Sequence, residues 1–424
     1  MNVEVEKSYG LLRFINKPRS RPVRFLYAVL GWCALMVLGS PMAVAADSFR
    51  LAREPNGVKI VLRRIIWFVH TGWLPISIRS DFFFDISEKM SPGACKVLID
   101  WIGKNRRIDE FERLIWQADL HGGIIERHCD QAGELWLKPG DPLYEEDVRF
   151  CKCLDAALAR LGSLIEKPLP ESKPSRKFTK SDDSFDKADA YSTIADLRSL
   201  MSQLEWPWYV VSGTLLGAVR EQDFLGHDYD IDVGVDYDDF DLYRLQELVD
   251  KSGGTWFIKA SSYCVFREPS SEGSIHYHRM EKPILVKLVH RTGLVADLFV
   301  HVEEEGVVWH GSAIHRWDNS PFELADYQLG REHVMGAADA DRYLTENYGD
   351  WRTPVLNFDC SIDPPNIRYS KTARAVTYLS KVVYRFLLDQ DIERAKRYLD
   401  SMTSSGVIIH EGSGWRYNGS QGSD

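Results

Sequence analysis

The chain is 424 residues long, 44% hydrophobic and carries a net charge of −10. That is enough to bury one substantial core and a smaller helical region. It has no internal repeat, nucleic-acid-binding module or dinucleotide-binding glycine pattern, which sets aside nucleic acid and dinucleotides as partners.

In chain order, residues 1–24 form a basic tail ending in Lys17, Arg19, Arg21 and Arg24, and residues 25–46 contain no charged side chain. A stretch of that length is expected to cross a bilayer as a signal-anchor helix, and the basic flank favours a cytoplasmic N-terminus. Ala43-Val44-Ala45 also resembles a signal-peptidase site, so secretion after cleavage stands as the alternative. With the anchor in place, the expected location is the Golgi or ER, as a single-pass membrane protein with a luminal catalytic domain. Cysteines 95, 129, 151, 153, 264 and 360 would then be compatible with disulfides. Residues 58–78, with Trp67, Phe68 and Trp73, read as a segment that lies on a membrane surface or docks on the catalytic domain. The wider span 58–166 reads as a helical accessory region. Residues 167–186, rich in Pro, Ser and charge, read as an exposed linker.

From residue 188 to 204 the pattern predicts a helix that leads into a strand at 208–211. Next comes Ser212-Gly213-Thr214-Leu215-Leu216-Gly217-Ala218-Val219-Arg220, a small-residue turn entering a helix. Backbone N–H groups at such a turn can approach a phosphate, which nominates Gly213, Thr214 and Gly217. Arg220, one helical turn after Gly217, either reaches a phosphate or pairs with Glu221 or Asp223. In Asp228-Tyr229-Asp230-Ile231-Asp232-Val233-Gly234-Val235 the carboxylates occupy alternate positions, and Ile231, Val233 and Val235 fill the opposite face. Alternate strand residues share a side. Clustered anions there resist burial unless a cation sits among them, and hard oxygen ligands suit Mg²⁺ or Mn²⁺ holding a phosphate. Asp230 and Asp232 are therefore the candidate metal ligands, with Asp228 assisting; Asp236, Asp238, Asp239 and Asp241 read as a solvated surface.

Further along, Lys259, Tyr263, Arg267, His276, Tyr277, His278, Arg279, Lys282 and Lys287 concentrate cations and aromatics. They are expected to offset a polyanionic donor, with Lys287, on an apolar run, the favoured phosphate ligand. The His276/His278 pair lacks an accompanying ligand set at zinc-like spacing and reads as a polar strand face. Asp297, within Leu294-Val295-Ala296-Asp297-Leu298-Phe299, reads as a buried carboxylate. Two further helices are expected at 372–388 and 391–402, followed by a flexible polar end in which Asn418-Gly419-Ser420 is a glycosylation pattern.

Together, the Gly213-to-Arg220 run, the Asp228-to-Asp232 strand, the Asp297 strand and a closing Tyr343-Leu344…Tyr348-Gly349-Asp350-Trp351-Arg352-Thr353-Pro354 resemble the LicD family, which includes fukutin and fukutin-related protein. The resemblance departs where His227 stands before the acidic strand in place of the family's usual Trp. It implies an α+β fold, with a nucleotidyltransferase-like mixed sheet and flanking helices over residues 187–356. The helical N-terminal region and transmembrane helix would precede that domain, and C-terminal helices with a flexible tail (357–424) would follow. It also implies metal-dependent transfer of a phospho-alcohol, such as phosphocholine or ribitol phosphate, from a CDP-activated donor to a glycan hydroxyl, with CMP leaving. Asp297 would complete the acidic set as a metal ligand or as a base. Attachment of the nucleotide itself, and a non-catalytic glycan-binding role, are the alternatives.

Overall fold

The computed structural model describes residues 109–166 and 186–420, apart from 227, 229, 271, 356–357 and 413, together with helical residues at 95–96, 99–100 and 102–103. Two long helices come first, α1 (Glu110–Ala132) and α2 (Pro142–Glu166), joined across a short strand β1 (Glu134–Leu137). Asp109 caps α1 by accepting a hydrogen bond from the Phe111 N–H, satisfying one of the helix's orphan donors. α3 (Lys187–Leu204), capped by Asp186, buries Ile194, Leu197, Met201 and Leu204 along one stripe, the spacing that turns an apolar face onto a core.

A large mixed sheet follows. Its strands are β2 (Trp208–Val210), β3 (Asp230–Asp236), β4 (Trp256–Ser262), β7 (Leu285–His290), β8 (Val295–Glu304), β9 (Val307–Gly311), β10 (His315–Asn319) and β13 (Ile367–Tyr369). β3 and β8 run parallel, while β2, β7 and β9 pair antiparallel to their neighbours. β8 is long enough to serve two partners on one side: its first half pairs β7 and its last residues pair β9. Helices α4 (Ser212–Arg220) and α5 (Leu242–Lys251) flank this sheet. Ile231, Val233, Val235, Ala296, Leu298 and Val300 are wholly buried at its centre. A separate three-stranded sheet is formed by β1, β6 (Ile275–Arg279) and β5 (Val265–Pro269) in the order β1-β6-β5. The hairpin β11–β12 (Leu324–Leu329, Glu332–Ala337) leads to α6 (Ala340–Tyr348). The α+β class, mixed sheet and flanking helices agree with the expectation from sequence.

After β13, α7 (Ala373–Leu388) and α8 (Ile392–Ser404) occupy the expected helical stretches. Residues 408–417 fold into the hairpin β14–β15 (Ile408–Glu411, Gly414–Tyr417) in place of a polar tail. Its Tyr417 N–H donates to Asp155 on α2. The reason is packing: Ile408 and Tyr417 enter one core with α1, α2, α7 and α8. Asn418, in the glycosylation pattern, donates its side-chain amide to the Gly406 carbonyl.

The membrane assignment is corrected. Among the described residues no helix is long and apolar enough to cross a membrane. α1 and α2 have the length, at 23 and 25 residues, but they carry charge along their course, including Asp119 and Glu126 in α1 and Asp147 and Asp155 in α2. The single-pass topology, the membrane as a partner through an N-terminal helix, and the luminal or secreted location deduced from it are withdrawn. Residues 25–46, on which that reading rested, lie outside the described residues, as do 58–78 and the linker residues 167–185. Cys129, Cys153, Cys264 and Cys360 are free thiols.

Candidate active site

The acidic residues meet because β3 and β8 run side by side in register. Asp232 is the direct partner of Asp297 across the parallel pair, and Lys287 is the direct partner of Asp297 across the antiparallel pair with β7. Directly paired residues share a sheet face, so Asp232, Asp297 and Lys287 form one cross-strand row. Asp230, two residues before Asp232, falls on the same face. One carboxylate oxygen from each of Asp230, Asp232 and Asp297 lies within 4.8 Å of the others.

The helix start of α4 is aimed at this row. The Gly213 N–H donates to Asp232 Oδ2 at 3.2 Å, and the Asp232 N–H donates to Thr214 Oγ1 at 2.9 Å. Ser212, the first residue of α4, holds φ at 47°, a left-handed conformation that costs a non-glycine residue roughly 1–3 kcal/mol. A Cβ at Gly213 would lie 3.0 Å from Asp228 Oδ2, which places the fourth predicted carboxylate beside the turn. The missing side chain of Gly217 serves packing, since a Cβ would stand 2.6 Å from the Asp223 carbonyl oxygen of the following loop.

Burial pushes the Asp232 carboxyl well above the usual carboxylate range, and the charges of Asp230, Asp228 and Asp297 push it further. Asp297 is 5% exposed. Its Oδ2 accepts a hydrogen bond from the Lys287 ammonium, while its Oδ1 is buried with no hydrogen-bond partner among the described residues. The three carboxylates and one ammonium sum to a formal charge of −2, which one divalent ion neutralises. An all-oxygen donor set with an orphaned buried oxygen fits Mg²⁺ or Mn²⁺.

The other predicted residues are placed as follows. Arg220 donates to the Trp351 carbonyl at 3.4 Å and to Glu221 at 3.3 Å, so it ties α4 to the Tyr348-to-Pro354 segment. The expected cationic stretch is divided among other partners. Arg267 and Tyr277 are spent on Asp147 of α2, Arg279 lies by Asp130, and Lys282 donates to the Tyr237 carbonyl. Lys287 meets the acidic row through Asp297. Asp241, read as solvated surface, caps α5, and Asp236 accepts from the Tyr209 hydroxyl.

Sequence reasoning assigned no role to Tyr343 and Tyr348. Burial, with the Asp232 charge next, raises both phenols above their ordinary range, and the buried Tyr343 hydroxyl has no hydrogen-bond partner among the described residues. Their signal was the closing signature, legible as a motif but silent about which wall of the site it builds.

The family model described as LicD/FKTN/FKRP, nucleotidyltransferase domain, matches residues 205–328, from the turn before β2 to near the end of β11. An uncharacterized protein of Rickettsia prowazekii (strain Madrid E) is 23% identical over 230 residues, covering 52% of this chain and 73% of its own length. A second uncharacterized protein, from Rickettsia typhi (strain ATCC VR-144 / Wilmington), is 24% identical over 161 residues, covering 38% of this chain and 46% of its own length. At the family level, then, the chain carries a LicD-type nucleotidyltransferase domain.

Proposed function

We propose that this chain is a metal-dependent transferase that moves the nucleotidyl group of a nucleoside triphosphate onto an acceptor hydroxyl, with pyrophosphate leaving. The convergence of Asp230, Asp232 and Asp297 on one sheet face carries the reading, and the description of the matching domain as a nucleotidyltransferase supports it. In this reading Asp230, Asp232 and Asp297 hold Mg²⁺ or Mn²⁺. When bound, such an ion neutralises the charge that builds up on the phosphoryl oxygens and on the leaving oxygen. Lys287 holds the Asp297 carboxylate in place through their hydrogen bond. The N–H of Gly213 and the hydroxyl of Thr214 hold Asp232 and its strand against the start of α4, and Asp228 assists from the loop. Arg220 is a positioning residue that fixes the Trp351 backbone. Residues 187–356 form the catalytic unit.

A second reading is transfer of a phospho-alcohol from a CDP-activated donor to a glycan, with CMP leaving. The ordered set of LicD-like motifs from Gly213 to Pro354 favours it. Product analysis separates the two. In the first, α-³²P from CTP passes to the acceptor and pyrophosphate appears; in the second, CDP-choline, CDP-ribitol or CDP-glycerol yields CMP and the acceptor gains the alcohol phosphate. Asp230→Asn and Asp297→Asn are each expected to reduce turnover at least 100-fold. Near-normal turnover in either variant with Mg²⁺ would overturn the assigned roles. If neither donor type is consumed and calorimetry detects no divalent ion bound, a non-catalytic role replaces both.

A further inference from the structure

The outer face of the small sheet β1-β6-β5 gathers ligands that the linear sequence keeps apart. His276 and His278 share one side of β6. Glu268 is the direct partner of His276 on β5, and Trp136 is its direct partner on β1; Glu134 is paired with His278. We propose that this face is a transition-metal site, ligated by His276, His278 and Glu268 and supported by Glu134.

Three observations carry the proposal. One ligand atom from each of Glu268, His276 and His278 lies within 4.8 Å of the others, with His276 Nδ1 and His278 Nδ1 at 3.8 and 4.0 Å from the same Glu268 oxygen. His276 Nε2 stands 3.2 Å from Glu134. An N–H donated there leaves the Nδ1 lone pair facing Glu268, which is the carboxylate–histidine–metal relay that orients ligating imidazoles. His278 Nδ1 is buried and has no hydrogen-bond partner among the described residues. Trp136, 57% exposed, stacks on its cross-strand partner His276 at 3.9 Å and so restricts the turning of the imidazole.

Two imidazoles and one carboxylate, with an open side toward solvent, match the three-ligand zinc arrangement that keeps one position for water. Imidazole-rich sets take Zn²⁺, Ni²⁺ or Cu²⁺, whereas the all-oxygen set of the acidic row suits Mg²⁺ or Mn²⁺. The two sites therefore select different ions. Occupancy would also clamp the β5–β6 hairpin beside β1, the strand between α1 and α2.

The test is calorimetric titration of the full chain with Zn²⁺ in excess Mg²⁺. One equivalent of Zn²⁺ is expected to bind. It should be lost in the His276→Ala/His278→Ala double variant, retained in Asp230→Asn, and weakened about 10–100-fold in Glu134→Gln. X-ray absorption of the zinc-loaded wild-type chain does not depend on any variant folding, and is expected to show imidazole and oxygen ligands only. Sulfur ligation, or Zn²⁺ binding unchanged in the double variant, overturns the proposal. So does a lack of Zn²⁺ binding in the wild type, which would leave His276 as a proton-sharing bridge between the two glutamates.

Discussion

Replacing Asp232 with Asn should make the metal-free protein more stable while removing its response to Mg²⁺. The residue is half-buried, and its folded-state proton affinity is raised by desolvation and by the charges of Asp230, Asp228 and Asp297. Two unit charges at 4.8 Å, the outer limit of the separations here, repel by about 3.5 kcal/mol at an effective dielectric near 20. Lys287 offsets part of the field of Asp297, so the net repulsion is smaller than the sum over the neighbours, and uptake of a proton by Asp232 limits it further. Holding that proton at pH 7, about three units above the ordinary value, costs about 4 kcal/mol, and this caps the penalty. Asn keeps an acceptor for the Gly213 N–H and carries no charge. The expected gain at pH 7 is therefore between about 1 and 4 kcal/mol, a rise in Tm of several degrees for a unit of this size. The sign follows from linkage. The folded state binds more protons than the unfolded one between the ordinary carboxylate range and the raised folded value, so wild-type stability falls as pH rises through that window. The advantage of the variant should accordingly vanish near pH 4 and grow toward pH 8, and the Mg²⁺-induced rise in wild-type Tm should grow in step. Differential scanning fluorimetry of both proteins at pH 4 and pH 8, with and without Mg²⁺, measures all of this. A variant that melts lower than wild type at pH 8 without metal, and still gains the full Mg²⁺ shift, would refute the reasoning.

Other substitutions separate packing from chemistry. Gly217→Ala drives a methyl group into the Asp223 carbonyl, a rigid backbone neighbour, and should cost about 1–3 kcal/mol in chemical denaturation. Gly213→Ala meets only the Asp228 side chain, which can turn away; stability should hold while turnover falls at least tenfold, as steady-state kinetics would show. Arg267→Met strips the guanidinium from the fully buried Asp147 and should lower stability by about 3–5 kcal/mol in the same denaturation assay.

Some of this was legible because it depends on short-range periodicity. Alternation of carboxylates with Ile231, Val233 and Val235 marks a strand with one packed face in any fold, and the small-residue turn at 212–217 marks its helix entry. The helices at 187–204, 373–388 and 392–404 also announced themselves through local spacing. The cationic stretch was misjudged for the opposite reason. Charge density in sequence says nothing about partners, and Arg267 went to Asp147, 120 positions away. Asp241 looked like solvated surface until its place at a helix start made it a cap.

What the sequence determined by itself was the chemistry of single elements: a β-strand presenting Asp230 and Asp232 on one face, and a glycine turn beside it. Only the tertiary structure decided that Asp297 pairs with Asp232 and that Lys287 sits next in the row. Only the assembled β5–β6 pair put Glu268 beside His276 and His278. The physical reason is common to both cases. Strand register is set by burial of the whole sheet, so which side chains become neighbours across strands is a property of the assembled core.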